Sequence, residues 1–253
     1  MRRSLSDRMV VLAPIAVLAI LLLGLELIVY VFKIPRQVLP SPHAILLALY
    51  TNFASAILSH LMITLYVILA GFVIGVPVGI FLAALLSQYK IVEKAFSPYV
   101  ILLVTTPMIT LVPLFMMWFG FGINVRVFVV ILQTVPIVIL NSITGFNTVD
   151  SSKIELADSM GATRIQKFVK IIFPNALPQV FTGIKLGGIF ATIAAITAGF
   201  SGAKSGLGNR VLYFSKFIET EIAFACIILI ALIGISLYML ISQVESRVIV
   251  WRR

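Results

Sequence analysis

Residues 61–88 read LMITLYVILAGFVIGVPVGIFLAALLSQ, an apolar run with no charged side chain in it. A helix needs about 20 mainly apolar residues to cross the hydrocarbon core of a bilayer. An open strand could not cross, because its backbone N–H and C=O groups would find no partners in lipid. The run is therefore expected to be a spanning helix. Within it Gly71, Gly75 and Gly79 recur every four residues, which places three small residues on one helix face. Such stripes let backbones approach closely where lipid supplies no hydrophobic force between helices.

Working outward, residues 9–32, 96–119, 127–146, 184–200 and 222–242 also satisfy the length and apolarity of a span. Hydrophobic residues make up 61% of the chain, charged residues only 11%, and the mean hydropathy is +1.15. Soluble domains carry about a quarter charged residues, so the fold class is an all-α integral membrane protein with six transmembrane helices. The first run is too long for a signal-peptide core and no small-x-small cleavage site follows it, so it is read as a retained helix. A second small-residue stripe, Gly183, Gly187, Ala191, Ala195 and Gly199, lies on the 184–200 run and just before it. The helices carrying the two stripes are expected to form the tightly packed centre.

The formal charge of +10 would suggest nucleic acid in a soluble domain, but here the basic residues sit at the ends of apolar runs, as topology signals do. Nucleic acid is excluded as a partner. With the N-terminus inside, the inner segments hold twelve Lys and Arg (Arg2, Arg3, Arg8, Lys90, Lys94, Lys153, Arg164, Lys167, Lys170, Arg247, Arg252, Arg253). The outer segments hold six (Lys33, Arg36, Arg126, Lys204, Arg210, Lys216), and Lys185 stands at a boundary. Both termini are thus expected to be cytoplasmic. On the outer side, Ser41-Pro42 can start a short amphipathic helix over 44–59, expected to lie along the membrane surface. Residues 201–221 are expected to form a loop with a short helix. Cys226 is alone, so there is no disulfide framework and no cysteine metal site, and His43 and His60 have no companion ligands.

One polar, turn-rich segment interrupts this apolar chain, residues 150–178, DSSKIELADSMGATRIQKFVKIIFPNALP. Two capping boxes can be read in it, Ser152 with Glu155 and Thr163 with Gln166, giving helix, turn, helix. Gly161 stands between them, where a helix end favours a residue that tolerates positive φ. Ile154, Ala157 and Met160 are expected on one side of the first helix, and Pro174 and Pro178 are expected to end the second. A short helix between two turns can move as a lever.

Glu155-Leu156-Ala157, Gly161 and Ile171-Ile172-Phe173-Pro174 at these spacings resemble the EAA loop of binding-protein-dependent ABC importer permeases, the type I transmembrane subunits. Leu156 and Phe173 replace a common alanine and leucine, both apolar exchanges. Val38-Leu39-Pro40-Ser41-Pro42, Thr106-Pro107 through Pro113-Leu114, Trp118-Phe119-Gly120-Phe121-Gly122 and Ser205-Gly206-Leu207-Gly208 extend the resemblance to the subgroup for alkanesulfonates, taurine and nitrate. One departure is Gly199, where that subgroup often has an acid. The resemblance implies a type I ABC importer permease fold in a bacterial cytoplasmic (inner) membrane. It implies residues 1–59 as a first helix plus outer surface helix, 60–245 as the permease core with its coupling loop at 150–178, and 246–253 as a cytoplasmic tail. It also implies the partners: a cytoplasmic ABC ATPase dimer that holds ATP and Mg, a second permease subunit forming a homodimer, and an external solute-binding protein. Glu155, Ala157, Met160, Gly161, Ala162, Ile171 and Pro174 are the implied ATPase-coupling residues.

The chain itself is not expected to be an enzyme or to bind a cofactor. Residues 198–205, AGFSGAKS, look like a worn P-loop, but both defining glycines are alanine and no strand precedes them. Thr105, Thr106 and Thr110 beside Pro107 and Pro113, and Gln133, Thr134 and Asn141 around Pro136, are candidates to line the translocation pathway. Proline frees backbone carbonyls that a water-filled cavity can satisfy, and interhelical hydrogen bonding is the alternative for the same residues. An ion-coupled secondary transporter is the rival function, but the 96–119 and 127–146 runs contain no Asp or Glu to couple an ion.

Overall fold

The computed structural model describes residues 5–252. Arg2, Arg3 and Arg253, and the side chains of Arg8 and Arg252, lie outside the described part. Among the described residues there are helices and no strands. In chain order they are α1 (Leu5–Val31), α2 (Pro42–Asn52), α3 (Leu58–Leu86), α4 (Lys90–Thr105), α5 (Met108–Phe119), α6 (Ile123–Asn147), α7 (Ser151–Ser159), α8 (Arg164–Lys167), α9 (Phe173–Phe200), α10 (Leu207–Lys216) and α11 (Thr220–Val248). Five described helices are long and apolar enough to cross a membrane, and six if the bent pair α4 and α5 counts as one span.

That bend corrects the expected continuous helix over 96–119. α4 and α5 meet at 92° across Thr106-Pro107. Pro107 has no N–H to continue the ladder, and a residue before proline avoids the helical region, so Thr106 is extended at φ −71° and ψ 121°. The surface helix expected over 44–59 is also revised. Ser41 caps α2, its hydroxyl accepting from Ala44 N at 3.4 Å, with Pro42 in the first turn as read from sequence. No break follows at residue 59, because a π turn, Phe53–Ile57, leads directly into α3.

The chain divides into two compact units. The smaller contains the residues up to Ser59 together with Arg210–Leu229. In it the Glu26 carboxylate accepts from His43 N at 3.1 Å in the first turn of α2, where a negative charge meets unpaired N–H groups. Thr220 Oγ1 donates to Arg36 O at 2.6 Å.

The larger unit, His60–Asn209 with Ile230–Arg253, is organised around α6. The two glycine stripes meet the same neighbour, α6, from two sides. A Cβ built on Gly71 would lie 2.4 Å from Val130 Cγ1, one on Gly75 3.1 Å from Thr134 Cβ, and one on Gly79 2.8 Å from Val138 Cβ. Rising numbers match rising numbers, so α3 runs parallel to α6. On the other flank a Cβ on Gly183 would lie 2.7 Å from Asn141 Cβ, and one on Gly187 3.2 Å from Val138 Cγ2 and 3.3 Å from Thr134 Cγ2. There the numbers run in opposite order, so α9 is antiparallel to α6, and among the described residues no other pair of elements is so extensively in contact. Ala191, one turn beyond Gly187, is fully buried. Val112 and Met116 of α5 complete the centre with Val129, Val130, Ala194 and Ala198. Because lipid is as apolar as this interior, close packing rather than burial from water holds the helices together.

Candidate functional site

The polar segment begins at Asp150, whose Oδ1 accepts from Ser152 N at 3.0 Å and caps α7. The cap is thus Asp150, not the Ser152–Glu155 box expected, since an aspartate two residues earlier starts the helix sooner and places Ser152 inside its first turn. This hydrogen bond to the Ser152 backbone holds the Asp150 carboxyl below its ordinary range. Two bonds end the helix: Gly161 N donates to Asp158 O at 3.0 Å and Ala162 N to Ala157 O at 3.0 Å. This pair is a Schellman ending, which needs a left-handed residue after the helix, and Gly161 supplies it at φ +74°. Thr163 then opens α8 with the full capping box read from sequence: Gln166 N donates to Thr163 Oγ1 at 3.3 Å and Thr163 N to Gln166 Oε1 at 2.9 Å.

After α8 the chain does not stop. A π turn, Phe168–Ile172, carries it straight into α9, so residues 164–200 form one helical rod of 37 residues, roughly 55 Å long at 1.5 Å per residue. Pro174 and Pro178 therefore do not end the second helix. Pro174 sits in the first turn of α9, right after the wider π turn, where a missing N–H costs least, and Pro178 is inside the helix. The lever is clipped to this rod twice: Lys167 Nζ pairs with the Asp158 carboxylate, and Lys153 Nζ donates to Asn175 Oδ1 at 3.0 Å. Phe146 of α6 stacks edge-on against Phe168 of the π turn, centroids 5.2 Å apart, beside Phe173.

The implied coupling residues fall into two sets. Ala157 is buried and Ile154 half-buried, turned toward the protein, while Ile171, Pro174 and Ala162 are half-buried. Glu155 and Gly161 are exposed. Met160 does not share a side with Ile154 and Ala157; it lies beyond the helix end and is 79% exposed. With it Leu156 (63%), Ile165 (76%) and Val169 (59%) present large apolar side chains outward on an otherwise polar segment.

The pathway candidates do not form one constellation. Thr105 and Thr110 are exposed and Thr106 half-exposed at the α4–α5 bend, each hydroxyl donating to a carbonyl three or four residues back. Gln133 and Thr134 are buried in α6 and Asn141 half-buried. Thr134 sits between Gly75 and Gly187 and Asn141 against Gly183, so in this structure both pack between helices.

Other polar contacts were not anticipated. Lys185 pairs with Glu245 at 2.7 Å, tying α9 to α11. At the far end of α9 the turn of residues 205–207 is held on three sides. Arg126 Nη1 donates to Ser205 O at 2.7 Å, Gly206 N to His60 Nδ1 at 2.9 Å, and Leu207 N to Thr64 Oγ1 at 2.8 Å. His60 and Thr64, four residues apart and so on one face of α3, were the available signal. Gly199 has its structural reason there too: a Cβ at that position would lie 3.0 Å from Gly208 Cα, so an acid would not fit this close backbone contact.

A polar helix-turn-helix clipped to one end of a long apolar rod, in a chain with five described helices long and apolar enough to span, or six with the bent pair counted, fits a multi-pass transport subunit. Residues 75–250 match the family described as binding-protein-dependent transport system inner membrane component. The chain belongs to this family, and it is a permease subunit of an ABC importer whose ATP hydrolysis resides in a separate ATPase. It is 32% identical over 219 residues to the formylaminopyrimidine transport permease protein ThiX of Halalkalibacterium halodurans, covering 85% of this chain and 86% of that one. It is 28% identical over 223 residues to the taurine transport system permease protein TauC of Escherichia coli, covering 86% and 78%. The fold is also that of the MetNI methionine ABC transporter in an inward-facing conformation, with TM-score 0.62 at 20% identity, covering 79% of this chain and 97% of that one. Nothing in these likenesses favours an ion-coupled secondary transporter.

Proposed function

We propose that this permease takes up a small polar organic solute, that its α7–α8 turn is the surface gripped by the ATPase, and that it works as a homodimer with both termini in the cytoplasm. The observation that carries the reading is the outward set Leu156, Met160, Ile165 and Val169 on a turn fastened to the α9 rod. Large apolar side chains exposed together on a polar segment mark an interaction surface. Force applied there reaches α9 directly, because α8, the π turn and α9 are continuous. The excess of Lys and Arg on the segments flanking this side supports its cytoplasmic placement. The solutes for which ThiX and TauC are named, a formylaminopyrimidine and taurine, support the solute class. Thr105, Thr106 and Thr110 at the bend are the pathway residues we favour, since Thr105 and Thr110 are exposed, whereas Thr134 and Asn141 pack between helices and Gln133 is buried.

Affinity purification of the tagged chain from its native membrane tests the reading. The wild type is expected to bring ATP hydrolysis with it. A Met160→Glu, Ile165→Glu double variant is expected to lose about tenfold or more of it, because burying two carboxylates in an apolar contact is costly. An ATPase-free wild-type complex, or full ATPase recovery with the double variant, would overturn it.

A further inference from the structure

The turn at the far end of the rod is held by three side chains from two helices. Arg126 is 5% exposed, Thr64 4% and His60 8%, so this is an interior contact. Arg126 spends its charge on neutral acceptors: Nη1 on Ser205 O at 2.7 Å and Nη2 on Ser205 Oγ at 3.2 Å. Among the described residues no carboxylate lies within ion-pair reach of it, and its Nε is buried without a hydrogen-bond partner. A buried cation satisfied only in part is poorly compensated for the water it gave up. Contacts of this kind hold a shape and yet release readily, because opening returns the guanidinium to water. The turn they hold is kept by geometry as well, with Gly206 at φ +102° and the Leu207 side chain fully buried. It joins the end of α9, the helix whose other end carries the coupling turn.

We propose that the Ser205–Gly206–Leu207 turn, held by Thr64, His60 and Arg126, is a latch that opens when the ATPase moves α9, and that Arg126 is the positioning residue that keeps it ready to open. This rests on the function proposed above. The three holders oppose one another in a defined way. Thr64 favours the closed latch, because its hydroxyl satisfies the buried Leu207 N–H, and Thr64→Val would leave that donor bare. Arg126 favours opening on balance, because the desolvation of a full charge outweighs two hydrogen bonds to neutral acceptors of Ser205. Replacing it with leucine should hold the latch shut.

The test uses the complex purified from native membranes in nanodiscs. Leu207→Cys, in a Cys226→Ala background, is labelled with a maleimide, with and without ATP plus vanadate. Slow labelling at rest and about tenfold faster labelling with nucleotide is expected, the scale of one charged hydrogen bond made or lost. Thr64→Val should label fast without nucleotide, and Arg126→Leu should stay slow with it. Opposite displacements are not what a merely structural pair would give. As a cysteine-free check, basal ATP hydrolysis should rise in Thr64→Val and fall in Arg126→Leu. Labelling and hydrolysis that shift in the same direction in Thr64→Val as in Arg126→Leu, or that shift in neither variant while the wild type hydrolyses ATP, overturn the latch alone. A wild-type complex without ATP hydrolysis overturns the functional reading and the latch with it.

Discussion

Two turns of this protein use the same backbone device in opposite surroundings. Gly161 and Gly206 both adopt positive φ, +74° and +102°. A Cβ on Gly161 would meet nothing within 4 Å, whereas one on Gly206 would lie 3.1 Å from Arg126 Nη1 and 3.2 Å from Thr64 Oγ1. The first turn is held only by its own helix ending and by two clips, and it shows apolar side chains to the outside. The second is enclosed by α3 and α6, through His60, Thr64 and Arg126. In the first the glycine is needed for conformation alone; in the second for conformation and space. A turn of the first kind is built to be grasped, and one of the second kind to be held in place until the element behind it moves.

The sharpest break in that comparison should come from volume added beside the enclosed turn. Gly208 follows it directly, and its Cβ would lie 2.5 Å from the backbone oxygen of Ile196, which cannot swing aside. Gly208→Val is expected to lower stability by on the order of 3 kcal/mol, read as a large drop in thermal denaturation temperature in detergent. Gly161→Val adds the same side chain where space is open. Its cost is the left-handed strain of a branched residue, about 1–2 kcal/mol and confined to the turn. Denaturation should therefore shift little, while ATP hydrolysis should no longer respond to the rest of the complex. Aspartate at Gly161 is a weaker probe, because its short polar side chain tolerates positive φ. Equal denaturation shifts in the two valine variants would erase the distinction between the turns.

Much of this was legible in the chain itself, and what was hidden has a common cause. Charge-free runs announced the spans, and the stripe Gly71, Gly75, Gly79 announced close helix contact, because both follow from local composition and helical period. Which partner the stripe meets is not local: α6 shows no glycine stripe of its own, only Val130, Thr134 and Val138 at matching steps. Of the prolines within the apolar runs, Pro14, Pro77, Pro98, Pro113, Pro136 and Pro178 lie inside helices, while at Pro107 the chain turns. Each removes the same hydrogen bond, so the packing around it decides. The Gly161 turn was readable because Thr163 and Gln166 bond within a few residues of it, whereas Arg126 and Ser205 are 79 positions apart and carry no pattern linking them.

The smallest effect concerns how the exposed turn is fastened at its start. Asp150 is capped onto Ser152 N, and that hydrogen bond lowers its carboxyl pKa from the ordinary 3.8. A group whose folded value is depressed contributes stability at pH above its unfolded value and loses it as pH falls through the folded one. The start of α7 should thus be insensitive to pH from neutral down to about 4 and fray only below that. In protein labelled with 15N at serine, the Ser152 amide resonance should move in that acid window and nowhere higher. Asp150→Asn keeps an oxygen acceptor but no titrating group, so its Ser152 resonance should stay still through the same range. Of the holders of the enclosed turn His60 can itself take a proton, and its Nδ1 accepts from Gly206 N, so the comparison is made in His60→Gln, where acid in this window should leave the Leu207 amide unmoved. A shift of Leu207 alongside Ser152 would show that the two turns share one cooperative unit rather than standing at opposite ends of a rod that connects them.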